Sequence, residues 1–155
     1  MFKIIEAKEE KALDDIRDLF LVYGQERSFD KALGDYEQEI KGLPGKYGPP
    51  DGMLLIAYAD EVPAGCVAYQ KIHPEVCEMK RLYVSKNFRK MGLGKLLSQN
   101  IIFRARSHGY KTMKLDTHPS MISAQQLYAA LGFSRTNRYN QNPIPGILFF
   151  EKELV

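Results

Sequence analysis

The sequence predicts an α/β (α+β) fold, a mixed and mostly antiparallel sheet with helices on both faces. Three observations carry this reading. Apolar runs between residues 53 and 84 are joined by connections too short for a crossover, which makes those strands an antiparallel meander. Apolar residues recur at three- and four-residue spacing after residue 9 and again after Gly92, the period of a helix with one buried face. The last third alternates strand, helix and strand.

Residues 2–7 read as a first strand and residues 9–23 as a helix, with Leu13, Ile16, Leu19, Phe20 and Tyr23 on one face. Glu9 and Glu10 fall in its first turn, where negative charge suits the helix dipole. Residues 30–41 hold a second, weaker helical pattern. The stretch 42–52 is too rich in Pro and Gly for regular structure. It reads as a loop and not a linker, because neither side is long enough for a second core. Strands follow at 53–59, at 62 or 63 to 72, and at 76–84. In the last of these, Met79 is odd-numbered while Leu82 and Val84 are even. The inward parity therefore switches between them, as a β-bulge would make it do. After Gly92, Leu93, Leu96, Leu97 and Ile101 share a helix face. Residues 111–116 form a strand and 120 or 121 to 131 a helix, stopped by Gly132. Strands at 133–139 and 147–154 close the sheet around a polar loop at 140–146.

At 155 residues the chain is long enough for one proper core, so a single domain over 1–155 is expected. The 45% hydrophobic and 26% charged composition is that of a globular protein and excludes a disordered one. No apolar run reaches transmembrane length, and acidic residues arrive too early for a signal peptide. The expected setting is cytoplasmic, without a membrane partner. Cys66 and Cys77 lack metal spacing and read as reduced core thiols. His73, His108 and His118 are scattered, so no metal is expected.

The most informative stretch runs from Glu78 to Leu97. A strand ends at Val84, a basic turn follows, and two glycines precede a helix. Residues 80–95 hold six Lys or Arg and no acid, although the net charge of the chain is only +3. A helix start offers unpaired N–H groups and a favourable dipole for an anion, and glycine lets a ligand approach the backbone. A Walker loop would need Gly where Arg89 stands and Ser or Thr where Leu96 stands; a Rossmann turn would need Gly in place of Leu97. What remains is Arg-x-x-Gly-x-Gly at Arg89, Gly92 and Gly94. Downstream lies Ala124-Gln125-Gln126-Leu127-Tyr128-Ala129-Ala130-Leu131-Gly132-Phe133.

In this pair of motifs, in this order, the chain resembles the GNAT superfamily of acetyl-CoA-dependent N-acetyltransferases over roughly residues 52–153. The resemblance implies the GNAT fold, with a sheet that splays open beside its fourth strand, and acetyl-CoA as co-substrate. It implies that Arg89 and the backbone from Lys90 through Met91, Gly92, Leu93 and Gly94 to Lys95 hold the pyrophosphate. Leu82, Tyr83 and Val84 would meet the pantetheine arm with their backbone, as an added strand does. One departure stands at Met121, where many members carry Asn; that contact would pass to Thr117, Ser120 or Ser123.

Amine acetylation needs a neutral amine, a stabilised oxyanion and a protonated leaving thiolate. The resemblance implies the Leu82 N–H as oxyanion donor, Glu78 as general base and Tyr128 as general acid. Glu78 could instead pair with Lys80 or Arg81, and Tyr128 could be simple core. The acceptor is a small-molecule amine in this reading, met by Tyr23, Phe29, Tyr139 and Asn140, with Arg27 and Asn142 as further candidates. Alternative acceptors are a protein N-terminus or lysine, and a silent acyl-CoA sensor is a further alternative. Nucleic acid is not expected as a partner, since the basic cluster lacks interleaved stacking aromatics. A homodimer is a family-level expectation.

Overall fold

The computed structural model describes residues 1–27 and 35–155. Strand β1 (Phe2–Glu6) precedes α1 (Glu10–Glu26) and the short α2 (Tyr36–Lys41). The meander follows as β2 (Met53–Ala59), β3 (Val62–His73) and β4 (Val76–Val84). Then come α3 (Leu93–Ser107), β5 (Thr112–Thr117), α4 (Ile122–Ala130), β6 (Ser134–Arg135) and β7 (Leu148–Glu153). The strands form one sheet in the order β1-β2-β3-β4-β5-β7-β6. All neighbours are antiparallel except β4 and β5.

Alternation along the strands feeds two cores. Leu54, Ile56, Cys66, Ala68 and Tyr83 face α1 and α2, against Leu13, Ile16, Phe20 and Ile40. Leu55, Ala57, Val67, Tyr69, Cys77 and Met79 face α3, against Leu93, Leu97 and Ile101. Tyr128 and Phe133 extend the second core under α4. Gly65 lets β3 and β4 lie close under α3: a Cβ there would lie 2.7 Å from the Tyr83 carbonyl oxygen of β4 and 3.1 Å from the Leu97 side chain of α3.

Several sequence expectations need correction. The strand expected at 133–139 is only Ser134–Arg135, extended by the Thr136 N–H to the Phe149 carbonyl. Beyond it Tyr139 turns inward against Phe149 and Glu78, a tertiary pull that alternation along one segment does not reveal. The loop at 42–52 contains a 3-10 turn at Gly45–Tyr47, whose tyrosine is buried. Helix α1 also runs one turn longer than expected. The start expected for the second helix, at residue 30, lies outside the described residues; the helix there covers Tyr36–Lys41.

Two local features place the site. Strands β4 and β5 pair only at Val76–Thr112, Cys77–Met113 and Glu78–Lys114, and then diverge. The β3–β4 register slips between Cys66–Tyr83 and Ala68–Lys80, and Arg81 has φ +61°. This is the bulge that the parity change implied. Met79, Leu82 and Val84 all reach the α3-side core, on either side of it.

Candidate active site

The fork between β4 and β5 opens into a cavity of about 90 Å³. Its walls are Met79 to Leu82 of β4, Leu115 to Thr117 of β5, Tyr23 of α1 and Arg27 just after it, Met121, Ala124 and Tyr128 around α4, and Asn142. The fold thus gathers Leu82, Tyr128, Tyr23, Arg27 and Asn142, all singled out from sequence. Tyr23 is buried, accepts a hydrogen bond at 2.8 Å from the Arg27 guanidinium and lies 5.4 Å from the Tyr83 ring. Phe29 lies outside the described residues.

Tyr128 packs against Phe133 and Phe150. Burial raises its phenol pKa, so the hydroxyl keeps its proton at neutral pH. Among the described residues its hydroxyl has no hydrogen-bond partner. Met121 sits at the start of α4 without a side-chain cap. The polar work there is done by Gln125, whose amide donates to the carbonyls of His118 and Pro119, while Ser120 engages His118. Thr117 is buried and lines the cavity.

Glu78 is buried beside this cavity but does not line it. Its carboxylate accepts from the Tyr139 hydroxyl at 2.6 Å, the Gln70 amide at 2.8 Å and the Asn140 amide at 3.3 Å. Neither Lys80 nor Arg81 pairs with it. The Asn140 amide also donates to Asp116 at 2.7 Å, and Asn142 donates to the same oxygen at 3.3 Å. Tyr139 and Asn140 are thus tied to carboxylates of β4 and β5. Asp116 escaped the sequence reading; its one signal is its place near the C-terminal end of a strand parallel to its neighbour, where α/β sheets bind ligands.

Helix α3 begins at Gly92 with φ +80°, and Lys90 also takes a positive φ of 64°. The first helical bond is from the Leu96 N–H to the Gly92 carbonyl, so the N–H groups of Leu93, Gly94 and Lys95 have no partner within the helix. No acid occupies this turn. Beyond Gly92 a Cβ would meet nothing within 4 Å, so the approach to these amides is open. The backbone, the open approach and the surrounding cations fit a diphosphate. Lys90, Met91 and Lys95 are exposed, whereas the Leu93 side chain is core. Arg89 does not face the turn: its guanidinium donates to Glu26 at 2.6 Å and to the Val84 carbonyl at 2.9 Å. The Tyr83 hydroxyl donates to the other Glu26 oxygen at 2.6 Å. Among the described residues, no cluster of three or more His, Cys, Asp or Glu could hold a metal ion, and no helix is long and apolar enough to cross a membrane.

A forked sheet, unpaired amides at the start of α3 and a protonated phenol lining the cavity beside the fork are an arrangement suited to acyl transfer from a thioester. Comparison with known proteins gives the family. The model of the acetyltransferase (GNAT) family matches residues 13–133, and the chain belongs to that family. It is 39% identical over 144 residues to an uncharacterized N-acetyltransferase of Schizosaccharomyces pombe, covering 92% of this chain and 88% of that protein. It is 31% identical over 116 residues to an N-acetylaspartate synthetase of Xenopus tropicalis, covering 74% of this chain and 41% of that protein. In fold it resembles a GNAT-family acetyltransferase of Staphylococcus aureus (TM-score 0.81, 18% identity, all of both chains). It also resembles a Bacillus subtilis acetyltransferase solved with CoA (TM-score 0.74, 21% identity, all of both chains).

Proposed function

We propose that this chain transfers the acetyl group of acetyl-CoA to a primary amine of a small molecule, by direct attack in a ternary complex. The observation that carries the proposal is the cavity at the strand fork, where Leu82 of the bulge and Tyr128 of α4 line one small space. At about 90 Å³ that space suits a reacting acetyl group and a slender amine. The relationship to an N-acetylaspartate synthetase, whose name denotes a small acetylated amino acid, supports a small acceptor. The free, buried Cys66 and Cys77 accord with a reducing, cytoplasmic setting.

Acetyl-CoA, when bound, supplies a thioester carbonyl and a thiolate leaving group. The amides of Leu93, Gly94 and Lys95 hold its diphosphate; Arg89 joins them only by leaving Glu26. The Leu82 N–H takes up negative charge that builds on the carbonyl oxygen. Donors of this kind are worth about 10²–10³ in turnover. As the amine nitrogen forms its bond to carbon and the C–S bond breaks, Tyr128 gives its proton to sulfur. The proton lost from the amine passes to the carboxylate pair Glu78 and Asp116, which share the Asn140 amide.

The test is a screen of free-thiol release from acetyl-CoA across small amines, amino acids and peptides. Turnover with small amines or amino acids is expected. Turnover with peptides alone would make the acceptor a polypeptide. Acetyl-CoA binding without any turnover would make the protein a sensor.

A further inference from the structure

Four described non-glycine residues have positive φ. Asp60 and Glu75 sit in hairpin connections, and Lys90 sits in the turn before Gly92. Arg81 alone lies within a strand, next to the residue whose N–H is assigned to the acetyl oxygen. A long L-side chain does not adopt this conformation by preference, and Arg has no short polar group to steady it locally. Something else must hold it.

The holder is Glu39 of α2. The Arg81 guanidinium makes a two-pronged ion pair with it, at 2.7 and 2.9 Å. The two side chains are only 10% and 12% exposed. The guanidinium also lies over the Tyr36 ring at 5.2 Å, and Tyr36 is anchored by its hydroxyl to the Phe20 carbonyl at 2.6 Å. The Cys66 thiol of β3 also reaches the Arg81 carbonyl, at 3.5 Å. The residue is therefore fixed at both its side chain and its peptide. A buried ion pair is a poor source of stability, since desolvation takes back most of what attraction gives. Its use here calls for a geometric reason.

We propose that the Glu39–Arg81 pair positions the reaction: it locks the β4 bulge and so fixes the direction of the Leu82 N–H. Glu39 does not line the cavity. Its effect on the acetyl group must travel through Arg81 and the backbone. This inference rests on the reading of Leu82 as the oxyanion donor.

The test uses the full chain and acetyl-CoA labelled with ¹³C at the thioester carbonyl. In the wild type, binding moves the carbonyl resonance, because a hydrogen bond polarises the carbonyl. The double variant Glu39→Leu/Arg81→Met replaces the pair with apolar groups, an exchange that commonly preserves stability. With bulge and fold uncoupled, it should bind acetyl-CoA within about threefold of wild type but lose most of the carbonyl shift. Its kcat should fall about 10–10²-fold, the scale of a misplacement near 1 Å. Because Arg81 itself borders the cavity, Glu39→Gln, which leaves that wall intact, must show the same loss of carbonyl shift, and it serves alone if the double variant does not fold. A folded variant with the wild-type carbonyl shift and rate overturns the proposal and leaves the acetyltransferase reading standing. A wild type that binds acetyl-CoA without a carbonyl shift removes the role of Leu82, and the positioning role with it. A wild type that does not bind acetyl-CoA overturns both.

Discussion

Gly94→Asp separates fold from ligand binding, because its two effects have opposite sign. Gly94 is the second residue of α3, and a Cβ there would lie 3.7 Å from Leu127 and 3.9 Å from Val84, which is ordinary contact. The added Cβ is therefore accommodated. A carboxylate in the first turn of a helix gains about 0.3–1 kcal/mol from the dipole. Unfolding entropy of about 2.1 cal/mol/K per residue gives roughly 0.33 kcal/mol/K for a chain of 155 residues. The ligand-free protein should thus melt about 1–3 °C higher than wild type. The same carboxylate occupies the unpaired amides and repels a diphosphate. Acetyl-CoA at a hundred times its Kd stabilises the wild type by about 2.7 kcal/mol, or roughly 8 °C. A hundredfold loss of affinity leaves about 0.4 kcal/mol at the same concentration, close to 1 °C. Thermal melts with and without acetyl-CoA read both numbers. An acetyl-CoA shift equal to that of wild type would show that the α3 amides do not hold the diphosphate.

Three further outcomes are expected. Tyr128→Phe keeps the packing against Phe133 and Phe150, so acetyl-CoA binding should hold while turnover drops roughly 10–10³-fold; an undiminished rate in stopped assays returns Tyr128 to the core. Glu78→Gln puts an amide among three donors, from Tyr139, Gln70 and Asn140, and should cost about 1–3 kcal/mol of stability. If Glu78 also takes the amine proton, its rate loss should be largest at acidic to neutral pH and shrink as pH rises; a pH–rate profile of wild-type shape assigns that proton to Asp116 or water. Burial raises the Glu39 carboxyl pKa, but the hydrogen bonds and charge of Arg81 outweigh it and hold it below the ordinary glutamate value. A depressed acid stabilises the fold above its unfolded pKa, about 4.3, and loses that stabilisation as pH falls through its folded value. The melting temperature of Glu39→Gln should therefore fall less steeply below about pH 4.3 than that of wild type.

The features legible in the sequence were those encoded within one segment. Gly92 and Gly94 mark the helix start, the parity change from Met79 to Leu82 marks the bulge, and the run from Ala124 to Phe133 places Tyr128. Features that need two distant segments were not legible. Glu39 and Arg81 are paired across the fold, and nothing on α2 alone distinguishes Glu39 from Glu37. Asp116 meets Asn140 only because β7 returns beside β5 and carries the loop over the fork. The motif that Arg89 shares with Gly92 and Gly94 assigns it to the pyrophosphate; the ion pair of Arg89 with Glu26, from the end of α1, is a contact that the motif does not encode. The apparent strand at 133–139 failed for a related reason: its apolar and polar order suits a sheet edge, but Tyr139 is drawn to a buried acid.

Gly65 has a bearing on how this protein tolerates change. It touches no ligand in any reading of the site, and its surroundings are Tyr83, Leu93 and Leu97. Its missing side chain sets how closely β3 lies to the Tyr83 carbonyl of β4, with Leu93 and Leu97 of α3 packed over the same spot. One added carbon would come within 2.7 Å of that carbonyl oxygen, so β4 would have to shift beside its bulge, one residue from Leu82 and its N–H. Alanine at this position is therefore a change of spacing, felt some residues away as a loss of aim. A mutational map of the enzyme should mark residue 65 as sensitively as Gly92, for reasons of clearance and not of chemistry.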